Sequence, residues 1–521
     1  MTKNILFIMC DQLRYDYLGC AGHPTIKTPN IDILASRGML FENSYCNAPL
    51  CGPSRASFYT GRYMSSHGVM ANDDPIKVDE ITLGDYIREL GGEAHVVGKT
   101  EGRPNKESLS RLNIPLDSEI ALNRHDNGFT PFEQYWGLYP EPIVHEGVGY
   151  NDYLTSNGYE MHNPWENAAN TATKFGLKYS GWEMRNAHLP SDVGAQHSET
   201  AFLTNRAMEY ISSRNKRIPW CLHLSYFNPH WPLLAPSPYH NMYKDSDVLE
   251  VMKDNNEIKN PHPVLSAFQQ LEYSQNYTDE KKRRHVIPTY MGLISEIDHH
   301  IGRLLSFLDA NSLSENTSII FTSDHGDYLG DHWLGEKDLF HEPSIRIPLI
   351  IVDPNMPKNL RGGSERRMVE SVDIVPTIVE TMGGSYASNR MEGQSLVPLL
   401  FGDKPAWRDT VFAEIDYGDR GVRQILGKHP YDCRGYMIKN TRWKYIYWEG
   451  YRAQLYDLLN DPSEFNDLAE NNDQSVRLKD FEQQLFAWLR HRKQRTVVEL
   501  DELYKRSPEA DEKAGIIIGR W

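Results

Sequence analysis

Two pairs of polar residues stand directly after two apolar segments of the chain. Asp11 and Gln12 follow the first segment, and Asp324 and His325 follow a much later one. Carboxylate, amide and imidazole groups are all common metal ligands. If both segments are strands of one parallel sheet, the pairs meet at its carboxyl edge, where open α/β sheets bind their ligands. The two pairs therefore predict one divalent-metal site, although Asp11 taken alone fits a helix cap as well.

A cysteine lies in a run with unusually specific spacing. The run CGPSRASFYTGR extends from Cys51 to Arg62. A lone cysteine is most often a small buried core residue, and that interpretation would hold for Cys51 without its neighbours. The run, however, resembles the signature C-x-P-S-R-x-x-x-x-T-G-R of the type I sulfatases and fills every fixed position of it. By this resemblance the sequence is identified as a member of the sulfatase family of the alkaline phosphatase superfamily.

The resemblance implies a modified nucleophile. In this family a separate formylglycine-generating enzyme oxidises the cysteine, so Cys51 is expected to become Cα-formylglycine and that enzyme to be a partner during maturation. The aldehyde hydrates to a diol, and one hydroxyl attacks the sulfur or phosphorus of a small anionic ester. Loss of a proton from the second hydroxyl then breaks the C–O bond, releases sulfate or phosphonate and regenerates the aldehyde. Phosphodiesters and phosphonate monoesters should be tolerated by such a mechanism.

The two polar pairs indicate the branch of the family. Common sulfatases carry Asp-Asp and Asp-Asn at these positions, whereas this chain has Asp11 with Gln12 and Asp324 with His325. That combination resembles the phosphonate monoester hydrolases, and it implies that Cys51, once modified, completes the ligand set. An amide and an imidazole in these places lower the charge of the site and add nitrogen, which favours Mn²⁺ over Ca²⁺. One divalent ion, Mn²⁺ or Ca²⁺, is therefore expected.

Four further residues match catalytic or substrate contacts of the family. Arg55 is expected to hydrogen-bond the formylglycine diol and to help ionise it. His230, in the phrase HLSYFNPHWPLLAPSPYHNMY, matches the residue that protonates the leaving oxygen, a role that suits imidazole; a buried core histidine is the alternative. Lys337, in GEKDLFHEPSIRIPL, matches a lysine that contacts the substrate oxygens and the leaving group. Asn72 matches a polar substrate contact of the phosphonate hydrolases.

One segment departs from the family pattern. Sulfatases usually carry G-K-x-H after the next strand, with the lysine on the sulfate and the histidine as the base that releases the intermediate. This chain has Gly98, Lys99, Thr100 and Glu101 there, so the lysine is kept and the histidine is lost. Phosphonate hydrolases lose both. Lys99 is expected at the anion pocket, with Thr100 or Glu101 as candidates for the missing base.

The segments that must position these residues alternate between strands and helices. Continuous apolar runs predict buried strands, and apolar residues at helical spacing predict amphipathic helices. The predicted strands are Asn4–Cys10, Ser318–Thr322 and Pro348–Val352, and the main predicted helices are Tyr290–Ala310 and Val476–Arg492. This alternation predicts an α/β fold with a doubly wound, mostly parallel central sheet flanked by helices.

A chain of 521 residues is long enough for two structural units. We expect a catalytic domain over residues 1–402 and a smaller C-terminal α+β subdomain over 403–521, with a small sheet, a terminal helix and an apolar tail at 514–521. The aromatic-rich segment 101–190 is predicted to be an insertion near the rim of the site, with ordinary surface packing as the alternative. Because an apolar tail needs a surface to pack on, a homo-oligomer, either a dimer or a tetramer, is expected.

Bulk properties exclude several classes of partner. The net charge of −16 argues against a nucleic-acid-binding surface, and no apolar run is long enough to cross a bilayer. The first residues, MTKNILFIMCDQ, predict a strand and not a signal peptide, and the six cysteines lack paired spacing. We therefore expect a protein of the cytoplasm with reduced thiols, without a nucleic-acid or membrane partner.

The sequence thus predicts a metal- and formylglycine-dependent hydrolase of sulfate esters and of phosphonate monoesters or phosphodiesters. Within enzymes, the alternative is a dedicated sulfatase that acts on one small sulfate ester. Outside enzymes, it is a catalytically silent relative that binds anions as a scaffold. Silent relatives usually lose the nucleophile or the metal ligands, whereas this chain keeps Cys51, Asp11, Asp324 and His325.

Overall fold

The computed structural model of the protein describes residues 3–141, 147–215, 217–506, 513 and 515. The strands are β1 Asn4–Cys10, β2 Met39–Phe41, β3 Ser44–Tyr45, β4 Glu93–Gly98, β5 Thr130–Gln134, β6 Thr171–Lys174, β7 Leu177–Ser180, β8 Trp220–Tyr226, β9 Thr317–Ser323, β10 Leu349–Val352, β11 Gly363–Glu365, β12 Val369–Glu370, β13 Val411–Asp416, β14 Arg434–Lys439, β15 Trp443–Trp448 and β16 Gln454–Asp457. The α-helices are α1 Pro29–Arg37, α2 Cys51–Thr60, α3 Met64–His67, α4 Leu83–Glu89, α5 Lys106–Arg111, α6 Glu119–His125, α7 Gly149–Ser156, α8 Glu199–Ser213, α9 Asn256–Lys259, α10 Pro263–Gln269, α11 Glu272–Thr278, α12 Glu280–Ala310, α13 Glu342–Ile345, α14 Ile374–Thr381, α15 Val397–Leu400, α16 Gly421–Leu426, α17 Ser475–Arg490 and α18 Leu500–Lys505.

Eight strands form the central sheet, in the order β11-β2-β10-β9-β1-β8-β4-β5. Only β10 runs antiparallel to its neighbours β9 and β2, and the other pairings are parallel. The predicted doubly wound, mostly parallel sheet is therefore confirmed. The three predicted strands are present, but β10 runs opposite to the other strands of the sheet, a direction that an apolar run does not encode.

The central strand β1 shows why the sheet is covered on both faces. Its seven residues are all buried. Ile5 and Phe7 pack into a cluster with residues of α2, α4 and α14 on one face. Leu6 and Ile8 pack into a second cluster with residues of α1, α8 and α12 on the other. Because alternate side chains of a strand point to opposite faces, a run that is apolar at every position requires helices on both sides.

The long helix α12 begins ten residues before its predicted start. The sequence predicts a helix over Tyr290–Ala310, whereas the structure has one continuous helix from Glu280 with Pro288 inside it. The side chain of Asp279 caps its first turn by accepting from the backbone N–H of Lys281. The predicted start was wrong because a proline inside a helix is ordinarily a breaker, and here packing along the buried face keeps the helix intact.

The C-terminal part contains a four-stranded antiparallel sheet, β13-β14-β15-β16, with α17 packed on it through Phe481 and Leu485. The predicted α+β subdomain is present, and its terminal helix lies at Ser475–Arg490. Within segment 101–190, β5 extends the edge of the central sheet and β6 pairs with β7 as a hairpin. Except for Gly515, the predicted apolar tail lies outside the described residues. Among the described residues, no helix combines the length and apolar character that a bilayer crossing requires.

Candidate active site

Two adjacent parallel strands bring the predicted metal-binding pairs together. In the β1–β9 register Cys10 lies opposite Ser323, so Asp11 and Asp324 leave the sheet side by side. The backbone N–H of Gln12 donates to Asp324 Oδ1 at 3.0 Å. Gln12 has a φ of 65°, a left-handed conformation that is strained for a residue with a side chain. The chain therefore turns sharply at the strand end, and both carboxylates lie at one point of the sheet edge.

Cys51 lies at the first position of α2, directly above that edge. All ten residues of this helix are buried. The Cys51 Sγ lies 3.2 Å from His325 Nε2 and 3.8 Å from Asp11 Oδ1. One ligand atom from each of Asp11, Cys51, Asp324 and His325 lies within 4.8 Å of the others. Four of the five predicted ligands, among them the nucleophile candidate Cys51, thus converge on one small volume.

The donor set fits a divalent cation. His325 Nδ1 donates to the Gly326 carbonyl at 2.9 Å, which leaves the lone pair of Nε2 directed to the site. That Nε2 lies 3.9 Å from Asp11 Oδ1 and 3.9 Å from Asp324 Oδ1. Two carboxylate oxygens and an imidazole nitrogen at this spacing surround a space of the size that Mn²⁺ or Ca²⁺ needs.

Gln12, the fifth predicted ligand, has its side chain held between two other groups. Its Oε1 accepts a hydrogen bond from Lys337 Nζ at 2.9 Å, and its Nε2 donates to the carboxylate of Asp327. Burial, followed by the charge of Glu336, raises the pKa of Asp327 to about 7. Asp327 was not among the predicted site residues, although its position three residues after Asp324 at the same strand end was a usable signal.

Arg55 connects the two carboxylates from beneath. Its guanidinium is fully buried and donates to Asp324 Oδ2 at 2.8 Å, to Asp11 Oδ2 at 3.2 Å and to Ser225 Oγ at 2.8 Å. It was expected to contact the modified Cys51, and in the structure it holds the two carboxylates in place. Ser225 was also missed, since a serine within an apolar strand carries no specific signal.

Lys99 contacts Asp11 through Oδ2, whereas the Cys51 sulfur approaches Oδ1. Its Nζ is 2.7 Å from Asp11 Oδ2 and 2.6 Å from Glu101 Oε1. Burial alone would raise the pKa of Asp11, but the charges of Lys99 and of its other cationic neighbours hold that pKa well below its usual range. Thr100, by contrast, donates its hydroxyl to Asp126 at 3.1 Å. Of the three residues predicted in this segment, Lys99 and Glu101 belong to the carboxylate network.

His230 and Lys337 form a hydrogen-bonded pair beside the metal-binding pairs. Lys337 Nζ lies 3.0 Å from His230 Nε2, and His230 Nδ1 donates to the Trp231 carbonyl at 2.7 Å. Burial, and next the charge of Lys337, lower the pKa of His230 well below its ordinary value. The imidazole of His230 is therefore neutral, and its Nε2 accepts a hydrogen bond from Lys337 Nζ. An anionic substrate would favour the protonated form, because a nearby negative charge raises the pKa of a histidine.

Asn72 holds the helix that carries Cys51. Its Oδ1 accepts from the backbone N–H of Gly52 at 2.8 Å. That N–H belongs to the first turn of α2, whose N–H groups have no partner within the helix itself. Asn72 was predicted as a substrate contact, and in the structure its carbonyl oxygen fixes the first turn of the nucleophile helix.

Comparison with protein families gives two matches. The family described as Sulfatase matches residues 3–385. A second family, described as N-sulphoglucosamine sulphohydrolase, C-terminal, matches residues 330–491. The first match alone covers more than half of the chain and includes every residue of the site described above.

Individual relatives span nearly the whole chain. The "multifunctional alkaline phosphatase superfamily protein PehA" of Trinickia caryophylli is 31% identical, with 97% of this chain and 98% of that protein covered. An arylsulfatase of Clostridium perfringens is 29% identical, with 92% of each covered. The crystal structure of the phosphonate monoester hydrolase of Agrobacterium radiobacter superposes with a TM-score of 0.80 at 27% identity, over 93% of this chain and 95% of that one.

Proposed function

The chain belongs to the sulfatase family, and on that premise we propose that it is a metal- and formylglycine-dependent hydrolase of sulfate esters and of phosphonate monoesters or phosphodiesters. Its relatives are sulfatases and phosphonate monoester hydrolases, which hydrolyse sulfate or phosphate esters. One observation carries the finer proposal. Cys51 begins a buried helix within 4.8 Å of the ligand atoms of Asp11, Asp324 and His325.

Each side chain at this cluster has a different role in the proposed reaction. Asp11, Asp324 and His325 would hold the divalent ion, which would supply positive charge where negative charge develops on the ester oxygens. Cys51, as formylglycine, would supply the nucleophile and its own release step. Arg55 holds both carboxylates in place through its hydrogen bonds to them. Lys337 carries a proton next to the neutral His230, so this pair can deliver a proton to a leaving oxygen.

The choice between branches rests on two opposing features. The Asp-Gln and Asp-His pairs, and the high structural similarity to a phosphonate monoester hydrolase, favour phosphonate monoesters and phosphodiesters. Lys99 favours the alternative of a dedicated sulfatase. In the structure Lys99 is already paired with Asp11 and Glu101, which makes it less available for a substrate oxygen. We therefore propose the broader specificity.

Two measurements test the proposal. Intact mass of protein produced with a formylglycine-generating enzyme should be ~18 Da below that of unmodified protein, a difference fixed by the covalent change at Cys51. The modified enzyme should then hydrolyse an aryl sulfate, a phosphonate monoester and a phosphodiester, with Mn²⁺ and Ca²⁺ compared for each. A modified, metal-loaded enzyme that binds these esters without turnover would favour the silent scaffold instead.

His230→Ala should harm substrates with poor leaving groups most. A more basic leaving oxygen depends more on being protonated as it departs. The loss of a proton donor should therefore lower kcat/KM most for leaving groups of high pKa. The measurement is the slope of log kcat/KM against leaving-group pKa, which should become steeper in the variant. An unchanged slope would remove His230 from the role of acid. His262→Ala, which removes another buried histidine, one bonded to the Arg452 carbonyl, serves as the control for the loss of a buried imidazole.

Lys99→Ala should lower phosphodiester turnover by less than about tenfold, or ~1.4 kcal/mol in the barrier. The reason is that Lys99 pairs with Asp11 and Glu101, so Lys337 is left as the principal substrate contact. Lys337→Ala should cost clearly more than Lys99→Ala on the same substrate. A loss well beyond tenfold for Lys99→Ala, on sulfate ester and phosphodiester alike, would favour the dedicated sulfatase.

We also propose a formylglycine-generating enzyme as the maturation partner, action in the cytoplasm, and assembly into a dimer or tetramer. The first follows from the family motif at Cys51, the second from six cysteines that lack paired spacing, and the third from the apolar run at residues 514–521. Light scattering on purified protein tests the assembly directly, and a mass corresponding to one chain would contradict it.

A further inference from the structure

A second polar site lies beneath the loop that carries His230. A cavity of about 40 Å³ lies between the start of α8, the middle of α12 and the chain segment after β8. Asn170, Glu199 and Glu296 face it, together with Phe227 and Asn228 from the His230 loop. The volume is enough for an ion with one or two waters, since one water needs roughly 10–15 Å³ by this measure.

The cavity contains an excess of unpaired acceptors. Glu296 is 0% exposed and neither of its carboxylate oxygens has a hydrogen-bonding partner among the described residues. Asn170 is 3% exposed, and both polar atoms of its side chain are likewise unpaired. Glu199 accepts from the Tyr135 hydroxyl through Oε2, while its buried Oε1 has no partner. A buried polar group without a hydrogen-bonding partner destabilises the fold, so the cavity requires an occupant.

The charge balance specifies the occupant. No lysine, arginine or histidine is among the residues that line the cavity. Burial raises the pKa of Glu199 to about 7, and burial together with the charge of Glu199 raises the pKa of Glu296 to about 8. The Ser198 hydroxyl beside Glu296 offsets part of that rise but is not in hydrogen-bonding geometry. Two carboxyl groups at one cavity without a cationic neighbour are a site for a positively charged ligand.

We propose that this cavity is a second cation site, separate from the candidate active site, in which oxygens of Glu199, Glu296 and Asn170 bind Ca²⁺. The ligand atoms are all oxygens, and Ca²⁺ takes carboxylate, amide and water oxygens in flexible geometry. The candidate active site differs from it in offering an imidazole nitrogen, that of His325, a ligand that the later transition metals prefer. The two sites therefore differ in their ligand atoms.

The position of the cavity gives the ion a consequence for catalysis. Phe227 forms part of its wall, and the ring of Phe227 lies 4.8 Å from the ring of His230 and 5.1 Å from Lys99 Nζ. A bound ion would fix the base of the loop from which His230 reaches Lys337. It would act on the reaction only through the placement of His230, as a positioning element.

Metal content tests the site directly. Wild-type protein and Glu296→Gln are equilibrated with Ca²⁺, and bound calcium is measured by elemental analysis. We expect Glu296→Gln to hold one Ca²⁺ per chain fewer than the wild type, and Glu199→Gln to behave in the same way. The comparison is independent of the proposed function, because it is a difference between proteins with the same active site. Equal calcium in wild type and in both variants would overturn the proposal.

Terbium luminescence separates the two sites. Trp165 and Tyr150 line the cavity and can sensitise a bound Tb³⁺. In Asp324→Ala, which lacks a ligand of the active site, we expect Tb³⁺ emission to persist and Ca²⁺ to raise the Tm relative to EDTA. Adding Glu296→Gln should abolish both effects. Persistence of both in the double variant, or the absence of both from Asp324→Ala, would mean that water and protonated carboxyl groups fill the cavity.

Discussion

Cys51→Ala should lower kcat/KM by about 10⁵-fold or more on every ester that the enzyme hydrolyses, since removal of a covalent nucleophile has effects of this order. The thiol lies 3.2 Å from His325 Nε2 within a fully buried helix, so an alanine there leaves no group that can attack. Burial, and next the charge of Asp11, raise the pKa of the Cys51 thiol to about 12. The unmodified thiol is therefore protonated at neutral pH and is itself a poor nucleophile.

The fold should tolerate this change, and a neighbouring cysteine provides the control. Cys46 is also buried and precedes the same helix, but its Sγ faces the Ser344 carbonyl at 3.9 Å and not the site. Both alanine variants should lose about 1 kcal/mol of unfolding free energy, the usual cost of a small change in a core. Only Cys51→Ala should lose activity. Comparable inactivation of both would indicate a folding defect.

Cys51→Ser distinguishes a formylglycine nucleophile from a simple one. A serine hydroxyl can attack once, but it lacks the second hydroxyl whose proton loss releases the product. We expect at most one turnover per active site, seen as a burst without a steady state. Sustained turnover by Cys51→Ser would contradict the formylglycine mechanism while leaving the metal site intact.

The positions of Asp11 and Asp324 could be predicted because the same geometric rule holds for every parallel sheet. The apolar runs before Asp11 and Asp324 predict parallel strands, and adjacent parallel strands place the residues after them at one edge. The register of β1 with β9 confirms this. Cys51 was found through its motif and not through any local pattern, because its helix is buried throughout and has no exposed face to mark it.

The partners of these residues could not be predicted, since they depend on tertiary contacts. Gln12 was chosen as a ligand by its type, but its carboxamide is held between Lys337 and Asp327, residues more than three hundred positions away in the sequence. Arg55 and Asn72 were assigned to the substrate by resemblance. Their observed bonds to Asp324 and Gly52 organise the site itself. The sequence therefore predicted which residues lie at the site, whereas the hydrogen-bonding partner of each residue could be seen only in the structure.

Asp324→Ala should remove the active-site metal and the activity together. Asp324 Oδ1 accepts from the backbone N–H groups of Gln12 and His325, and Oδ2 accepts from Arg55. The carboxylate thus presents a fixed oxygen to the site while it neutralises a buried guanidinium. We expect a loss in kcat/KM of about 10³-fold or more, beyond the ten- to hundredfold that groups outside the ligand set cost.

The same substitution should also destabilise the protein, which makes a matched control necessary. Removing one partner of a buried ion pair costs about 3 kcal/mol or more, and of the two carboxylates bonded to Arg55 that of Asp11 would remain. Asp353 is likewise buried and paired with a cation, Lys3, but it follows the antiparallel strand β10 and so lies at the opposite edge of the sheet. Asp353→Ala should lose comparable stability and keep its metal and its activity. The measurement is the metal content of folded Asp324→Ala by elemental analysis. Full occupancy of the active-site metal in this variant would show that the Asp324 carboxylate is not a ligand.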